Sequence, residues 1–166
     1  MQTGWFLIPL LAFGLAFPVL SAHANQLKEI KTLDFGVFAV MPSGSPRRIV
    51  IDPNGAQTMP DGGLVKLRAG HNAVIRITQA DPLTLFYITI NNALTSSPST
   101  LNHLSGSPTL DIDSFEFDPP NDIGNMIHVD PDGSLDINIG ATLTVPAAMP
   151  NTPGPYRGTY IFMINF

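Results

Sequence analysis

Three carboxylates crowd one turn, Asp130-Pro-Asp-Gly-Ser-Leu-Asp136, and hard cations such as Ca²⁺ take several oxygens from loops of this kind. Asp130, Asp132 and Asp136 are therefore a calcium candidate. A complete calcium loop carries more acidic positions and a distal Glu, which this segment lacks, so the ligand count favours a structural turn. A second acidic run, Asp111, Asp113, Glu116, Asp118 and Asp122, reads as a solvated strand face. Within it Asp111 and Asp113 fall on one side of a strand, as paired glycosidase carboxylates must, but no other residue of the chain joins them.

Other chemistries find fewer residues. The chain has no Cys, so thiol catalysis and thiolate metal sites are excluded. His71, His103 and His128 are separated, fall in or near loops and have no neighbour at metal spacing, which places them at the surface. Ser43-Gly44 and Ser105-Gly106 lack the Gly-x-Ser-x-Gly context of a nucleophile, and no Gly-rich phosphate loop is present. Arg47-Arg48 is read as a solubility feature of a strand start rather than a contact for an anionic polymer. Eight Lys and Arg against thirteen Asp and Glu give a net charge of −5, and the basic residues are scattered, which argues against a nucleic-acid partner. The expectation is a protein that is not an enzyme and needs no cofactor.

The elements that must carry these residues are strands. Short β-rich runs alternate with clusters of Pro, Gly, Asn and Asp, the pattern of a sandwich or barrel. Strands are expected at Thr32 to Val40, Arg47 to Ile51, Gly63 to Leu67, Asn72 to Thr78, Leu83 to Asn91, Leu110 to Phe117, Ser134 to Val145 and Tyr156 to Phe166. Period-two alternation with one polar face fits antiparallel sheets over a shared core. Asp52-Pro-Asn-Gly55 and Asp130-Pro-Asp-Gly133 carry type I turn chemistry. Ser96 to Pro108 reads as a polar loop without a core role. Gly140 is expected to kink or bulge a long strand so that its halves serve both sheets. Tyr160, Phe162, Ile164 and Phe166 form the inward row of the last strand, with Ile161 and Met163 as the row of the opposite register. Leu33, Phe35 and Val37 form the row of the first.

Residues 1 to 24 read as a secretory leader. Trp5 to Leu20 is mostly apolar, and Ser21-Ala22-His23-Ala24 offers the small residues that cleavage needs. Pro9, Gly14 and Pro18 interrupt the roughly 20 apolar residues that a membrane span requires. The expected product is one exported domain, residues 25 to 166, with no membrane span once the leader is removed.

The ordered set Leu33-Asp-Phe-Gly36, Ile51-Asp-Pro-Asn-Gly55, Gly62-Gly63, Asp113-Ser-Phe115, Gly140-Ala-Thr-Leu-Thr-Val145 and Gly154-x-Tyr156-x-Gly158-x-Tyr160 resembles a family of small exported bacterial proteins whose defining domain is of unknown function. That family is similar in turn to pilin-like and spore-coat-type subunits. The resemblance implies an immunoglobulin-like antiparallel β-sandwich of about seven to nine strands, in the periplasm or at the surface of a bacterium, with assembly into fibres. It also implies protein partners at the cell surface, self-association and a periplasmic chaperone. Two departures stand out: Leu27 and Ile30 make a thin N-terminal donor, and the chain ends Asn165-Phe166 where polymerising subunits have a penultimate Tyr. The function expected is a structural or interaction subunit acting by strand pairing. The alternatives are a carbohydrate-binding or adhesin module, which lacks a Trp after the leader, and a secreted hydrolase.

Overall fold

The longest alternating run in the sequence is the axis of the molecule. In Leu135-Asp-Ile-Asn-Ile-Gly-Ala-Thr-Leu-Thr-Val145 every odd-numbered residue is buried, because a strand sends successive side chains to opposite faces. The computed structural model describes residues 26–41, 44–80, 87–91, 99–118, 129–147 and 153–165. In chain order its strands are β1 (Gln26–Lys31), β2 (Val37–Val40), β3 (Arg47–Ile51), β4 (Gln57–Thr58), β5 (Leu64–Arg68), β6 (Ala73–Thr78), β7 (Tyr87–Asn91), β8 (Ser99–His103), β9 (Thr109–Asp118), β10 (Leu135–Val145), β11 (Tyr156–Arg157) and β12 (Ile161–Asn165). All pairings are antiparallel, and the described residues contain no helix.

Eight strands form the main sheet. Its path runs β1-β6-β10-β9-β8-β11, with β3 also on β10 and β4 on β3. One edge of β10 pairs with β9, while the other passes from β6 at Leu135 to Ile139 to β3 at Ala141 to Val145. Gly140 sits at this hand-over. A Cβ there would collide with the Ile51 carbonyl and with Asp52 and Pro53 where β3 turns away, so only glycine lets the two strands abut. The expectation of a kink or bulge at Gly140, with the halves of the strand serving both sheets, is not met: both halves of β10 belong to the main sheet, and the register shift lies on its β9 side, between Thr142 and Leu143.

The inward row of β10 builds two cores. Leu135, Ile137 and Ile139 join Ala73, Ile75 and Ile77 of β6, while Ala141, Leu143 and Val145 join Ile49 and Ile51 of β3 and Leu110 and Ile112 of β9. Full burial of each large side chain contributes about 1.5–3 kcal/mol. Two ribbons complete the sandwich. The β7–β12 ribbon closes the first core with Phe162, helped by Tyr160 just before it, and the β2–β5 ribbon closes the second with Phe38 and Leu64.

Three further sequence expectations change. The first strand does not run from Thr32 to Val40: β1 precedes it, and Gly36, at φ +82°, separates β2 from Leu33 and Phe35. Leu33 and Phe35 therefore pack inward, while Val37 is exposed. Ser96 to Pro108 is not wholly loop, because Ser99 to His103 forms β8 against β9, with Ser99 and His103 buried and Leu101 on the second core. The last strand divides at Gly158, where a Cβ would press on the Thr100 carbonyl and Leu101. Of the expected strand Leu83 to Asn91, the part described is β7.

Both Asp-Pro turns close as their sequences require. Gly55 N–H donates to the Asp52 carbonyl at 2.9 Å and Gly133 N–H to the Asp130 carbonyl at 2.8 Å. Each glycine has positive φ, +87° and +77°, a conformation that costs a Cβ-bearing residue strain.

Candidate functional site

The carboxylates singled out in the sequence do not converge. Asp136 lies on the outer face of β10 and accepts two 2.6 Å bonds from Arg76. This pairing outweighs its slight burial, which acts in the opposite direction, and holds its carboxyl below the ordinary value of 3.8. Asp132 accepts from the Ser134 hydroxyl at 2.7 Å and the Ser134 N–H at 3.0 Å, which lowers its pKa as well. Among the described residues no three His, Cys, Asp or Glu side chains gather in a metal-binding group. Asp111, Asp113, Glu116 and Asp118 point outward from β9 into solvent, and the Thr144 hydroxyl donates to Asp113. Asp122 lies outside the described residues.

The histidines and serines serve the fold. His103 is buried, not at the surface. Its Nδ1 accepts the Ser105 N–H at 3.1 Å and therefore also accepts the Ser105 hydroxyl at 2.5 Å. A serine hydroxyl on an imidazole nitrogen is the start of a nucleophile–base pair, yet a working pair needs a third group to orient the base. Here Nε2 is buried without a hydrogen-bond partner among the described residues; it lies against Gly154, and the ring packs edge-to-face with Tyr156. The contact tightens the β8 turn under β11. His71 forms a backbone bridge with Asp34, its ring 3.9 Å from that carboxylate. His128 and Ser43 lie outside the described residues.

Arg47 corrects the reading of the basic pair. It is buried, and its guanidinium donates to the Met41 and Gly63 carbonyls, tying the end of the β2–β5 ribbon to β3. Arg48 is the exposed member and binds Asp61 at 3.0 Å. The alternation Arg47, Ile49, Ile51 already placed Arg47 on the inner row of β3, which is the signal that could have found it.

Side chains that sequence reading passed over build a polar seam at the base of the same ribbon. Gln57 donates to the Phe35 carbonyl at 2.9 Å and accepts the Gly70 N–H at 3.0 Å. Buried Asn72 donates to the Pro53 carbonyl at 2.7 Å and to Asn138 at 3.2 Å while accepting Lys31 at 3.2 Å. Asp34 accepts the Gly36 N–H at 2.7 Å and Arg68 at 2.8 Å. Burial pushes the Asp34 carboxyl up, but Arg68, the Gly36 N–H and the nearby His71 together outweigh it and leave it below 3.8. The segments Leu33 to Gly36, Asp52 to Gly55 and Gly140 thus meet at one junction, and they act as architecture.

What the molecule offers to a partner is its strand edges. The main sheet ends in β1, β4 and β11. Of these, β1 carries Lys28, Glu29 and Lys31, and the other two are only two residues long. Charge and brevity are the usual devices that keep an edge from pairing with another chain. The ribbons differ. Among the described residues β2, β5, β7 and β12 each have a single hydrogen-bonded neighbour. Only β5 carries charge, through Lys66 and Arg68, whereas β2 (VFAV), β7 (YITIN) and β12 (IFMIN) carry none.

The residues expected at the working strand sit on and beside β12. Tyr160 and Phe162 pack against the first core, and Ile161 is exposed. The Tyr160 hydroxyl reaches Glu29 of β1 at 3.4 Å; burial first, and the Glu29 charge second, push its pKa up to about 12. Ile164 pairs with Ile88 in the backbone ladder. The side chains of Met163 and Ile164, and all of Phe166, lie outside the described residues.

No curated protein and no solved structure matches the chain, and the described residues contain no helix long and apolar enough to cross a membrane. A family model does match, from residue 26 to residue 166, and the chain belongs to that family, the domain of unknown function DUF4402.

Proposed function

We propose that this protein is an exported structural or interaction subunit that works by strand pairing at a bacterial surface, as a pilin-like subunit does, and that it performs no bond-making. The observation that carries this reading is the placement of uncharged open edges. Among the described residues every end of the main sheet is charged or too short to extend, while β2, β7 and β12 of the ribbons are uncharged and have one neighbour each. An added strand gains affinity from main-chain hydrogen bonds and specificity from alternate side chains, and the β12 backbone pairs with β7 alone among the described residues. The leader supports export, since the family match begins at Gln26, immediately after the expected mature start at Asn25.

The scattered chemistry supports the same reading. Asp132, Asp136, His103 and Ser105 each have local structural partners, and the motif residues lock turns onto the sheet. The test is the size of the purified protein across concentration, with negative-stain microscopy of the protein and of the cell surface. Ladders or filaments extending beyond a dimer are expected. A strict monomer at all concentrations, with no structure at the cell surface, overturns the proposal, and so does turnover of any substrate.

A further inference from the structure

The β2–β5 ribbon carries an apolar stripe on the face turned away from its core. Five apolar residues lie on or beside it, Val37, Ala39 and Met41 of β2 and Val65 and Leu67 of β5, with Ala39 opposite Val65 and, past the register shift between Val37 and Phe38, Val37 opposite Arg68. All five are exposed, Leu67 at 65%, Met41 at 50% and Val37 and Val65 at 44% each. The two edges of the ribbon are unlike. The β5 edge bears Lys66 and Arg68, so two copies meeting there would oppose like charges. The β2 edge has no charge and no Pro from Val37 to Met41.

The backbone of β2 is set for one register. The Met41 N–H bonds the Gly63 carbonyl, and in an antiparallel strand alternate residues turn both backbone groups to the same side. Val37, Ala39 and Met41 therefore face β5, while Phe38 and Val40 present their N–H and C=O groups to the edge that has no strand partner among the described residues. The usable length is bounded by Gly36 at φ +82° on one side and by the Met41 carbonyl, held by Arg47, on the other. Its midpoint is Ala39.

We infer that β2 pairs antiparallel with β2 of a second copy of this chain about a two-fold axis at Ala39. Phe38 and the second copy's Val40 then exchange backbone hydrogen bonds, twice by symmetry. Val37 packs beside the second copy's Met41, and the two small Ala39 side chains face each other on the axis. A two-fold interface must be self-complementary, and this uncharged strand is. The inference is independent of strand addition at β12, which uses the other ribbon.

Because the chain has no Cys, a single introduced thiol reports the axis. Ala39→Cys is expected to give a disulfide-linked dimer on a non-reducing gel under mild oxidation, while Val65→Cys, on the same apolar face but off the edge, stays largely monomeric. Sedimentation of the otherwise unaltered protein should show a monomer–dimer equilibrium, weakened at least tenfold by Ala39→Lys, which sets two ammonium groups together on the axis. Val40→Pro removes an N–H that faces the edge and should weaken the dimer likewise, with an unchanged circular dichroism spectrum. Assembly beyond the dimer through β12 would survive Ala39→Lys, so the two readings fail separately. A monomer at all concentrations, equal cross-linking at positions 39 and 65, or a dimer indifferent to Ala39→Lys overturns the inference.

Discussion

The main sheet and the ribbons that cover it solve the same problem in opposite ways. In the main sheet β10 has hydrogen-bonded partners along both edges, its inward row is buried, and the outermost strands are charged or two residues long. Among the described residues the ribbons are two strands wide, pack Phe162 and Phe38 with Leu64 against the cores, and leave the uncharged edges of β2, β7 and β12 without a strand partner. A two-stranded piece is marginal by itself, so each ribbon depends on the sheet beneath it, and Arg47 and the Gln57–Asn72 seam are what hold the β2–β5 ribbon there. Stability is therefore concentrated in one layer and the capacity to pair in the other, the division expected of a subunit whose activity is contact.

The contrast can be broken most severely at its centre. Ile137, fully buried on β10, cut to Ala should cost about 2–5 kcal/mol, a loss comparable with the whole stability of a small domain. The urea midpoint should fall sharply, and a change smaller than that of a surface substitution would show that β10 is not the core axis. Arg47→Met comes next, because it leaves the Met41 and Gly63 carbonyls without their buried donor at about 1–3 kcal/mol. Hydrogen exchange should accelerate in β2 and β5 ahead of β6 and β10; uniform acceleration would mean that the ribbon is not separately pinned.

A smaller effect sharpens the join between the first core and the last strand. The Tyr160 phenol ordinarily ionises near 10, but in the folded protein it is pushed up to about 12. Below pH 10 both states hold the proton and the slope is zero. Between pH 10 and about 12 only the unfolded chain releases it, so stability falls as pH rises through that window. Tyr156 is shifted in the same direction by burial. Tyr160→Phe should remove part of the alkaline slope, as read by chemical denaturation at each pH; an unaltered slope would mean that the phenol is exposed. Smallest of all, Leu67→Ser on the outer face of the ribbon should change stability by no more than about 0.5 kcal/mol.

Where side chains decide the structure, the sequence was readable. The alternation of β6 and β10, the two Asp-Pro turns and the special place of Gly140 follow from period two, turn chemistry and the missing Cβ. Strands held chiefly by backbone bonds were not readable. β1 alternates Leu27 and Ile30 with Lys28, Glu29 and Lys31 and buries almost nothing, so its pairing with β6 leaves no apolar signature. β8 is mostly polar although only Asn102 is exposed, and its Ser99 and His103 are buried in a way no local pattern announces. Arg47 was misjudged because charge outweighed position, although its place in the inner row of β3 was visible. That Leu33 to Gly36, Asp52 to Gly55 and Gly140 meet at one junction is visible only in the pairing of β10 with β3 and β6.

The most direct test of the account is residue-resolved hydrogen exchange of the purified protein at low and high concentration. β6, β9 and β10 should be protected at both, and the amides of β2 and β12 should gain protection as concentration rises. Exchange that is the same at every concentration along the whole chain, or fastest in β10, would contradict it.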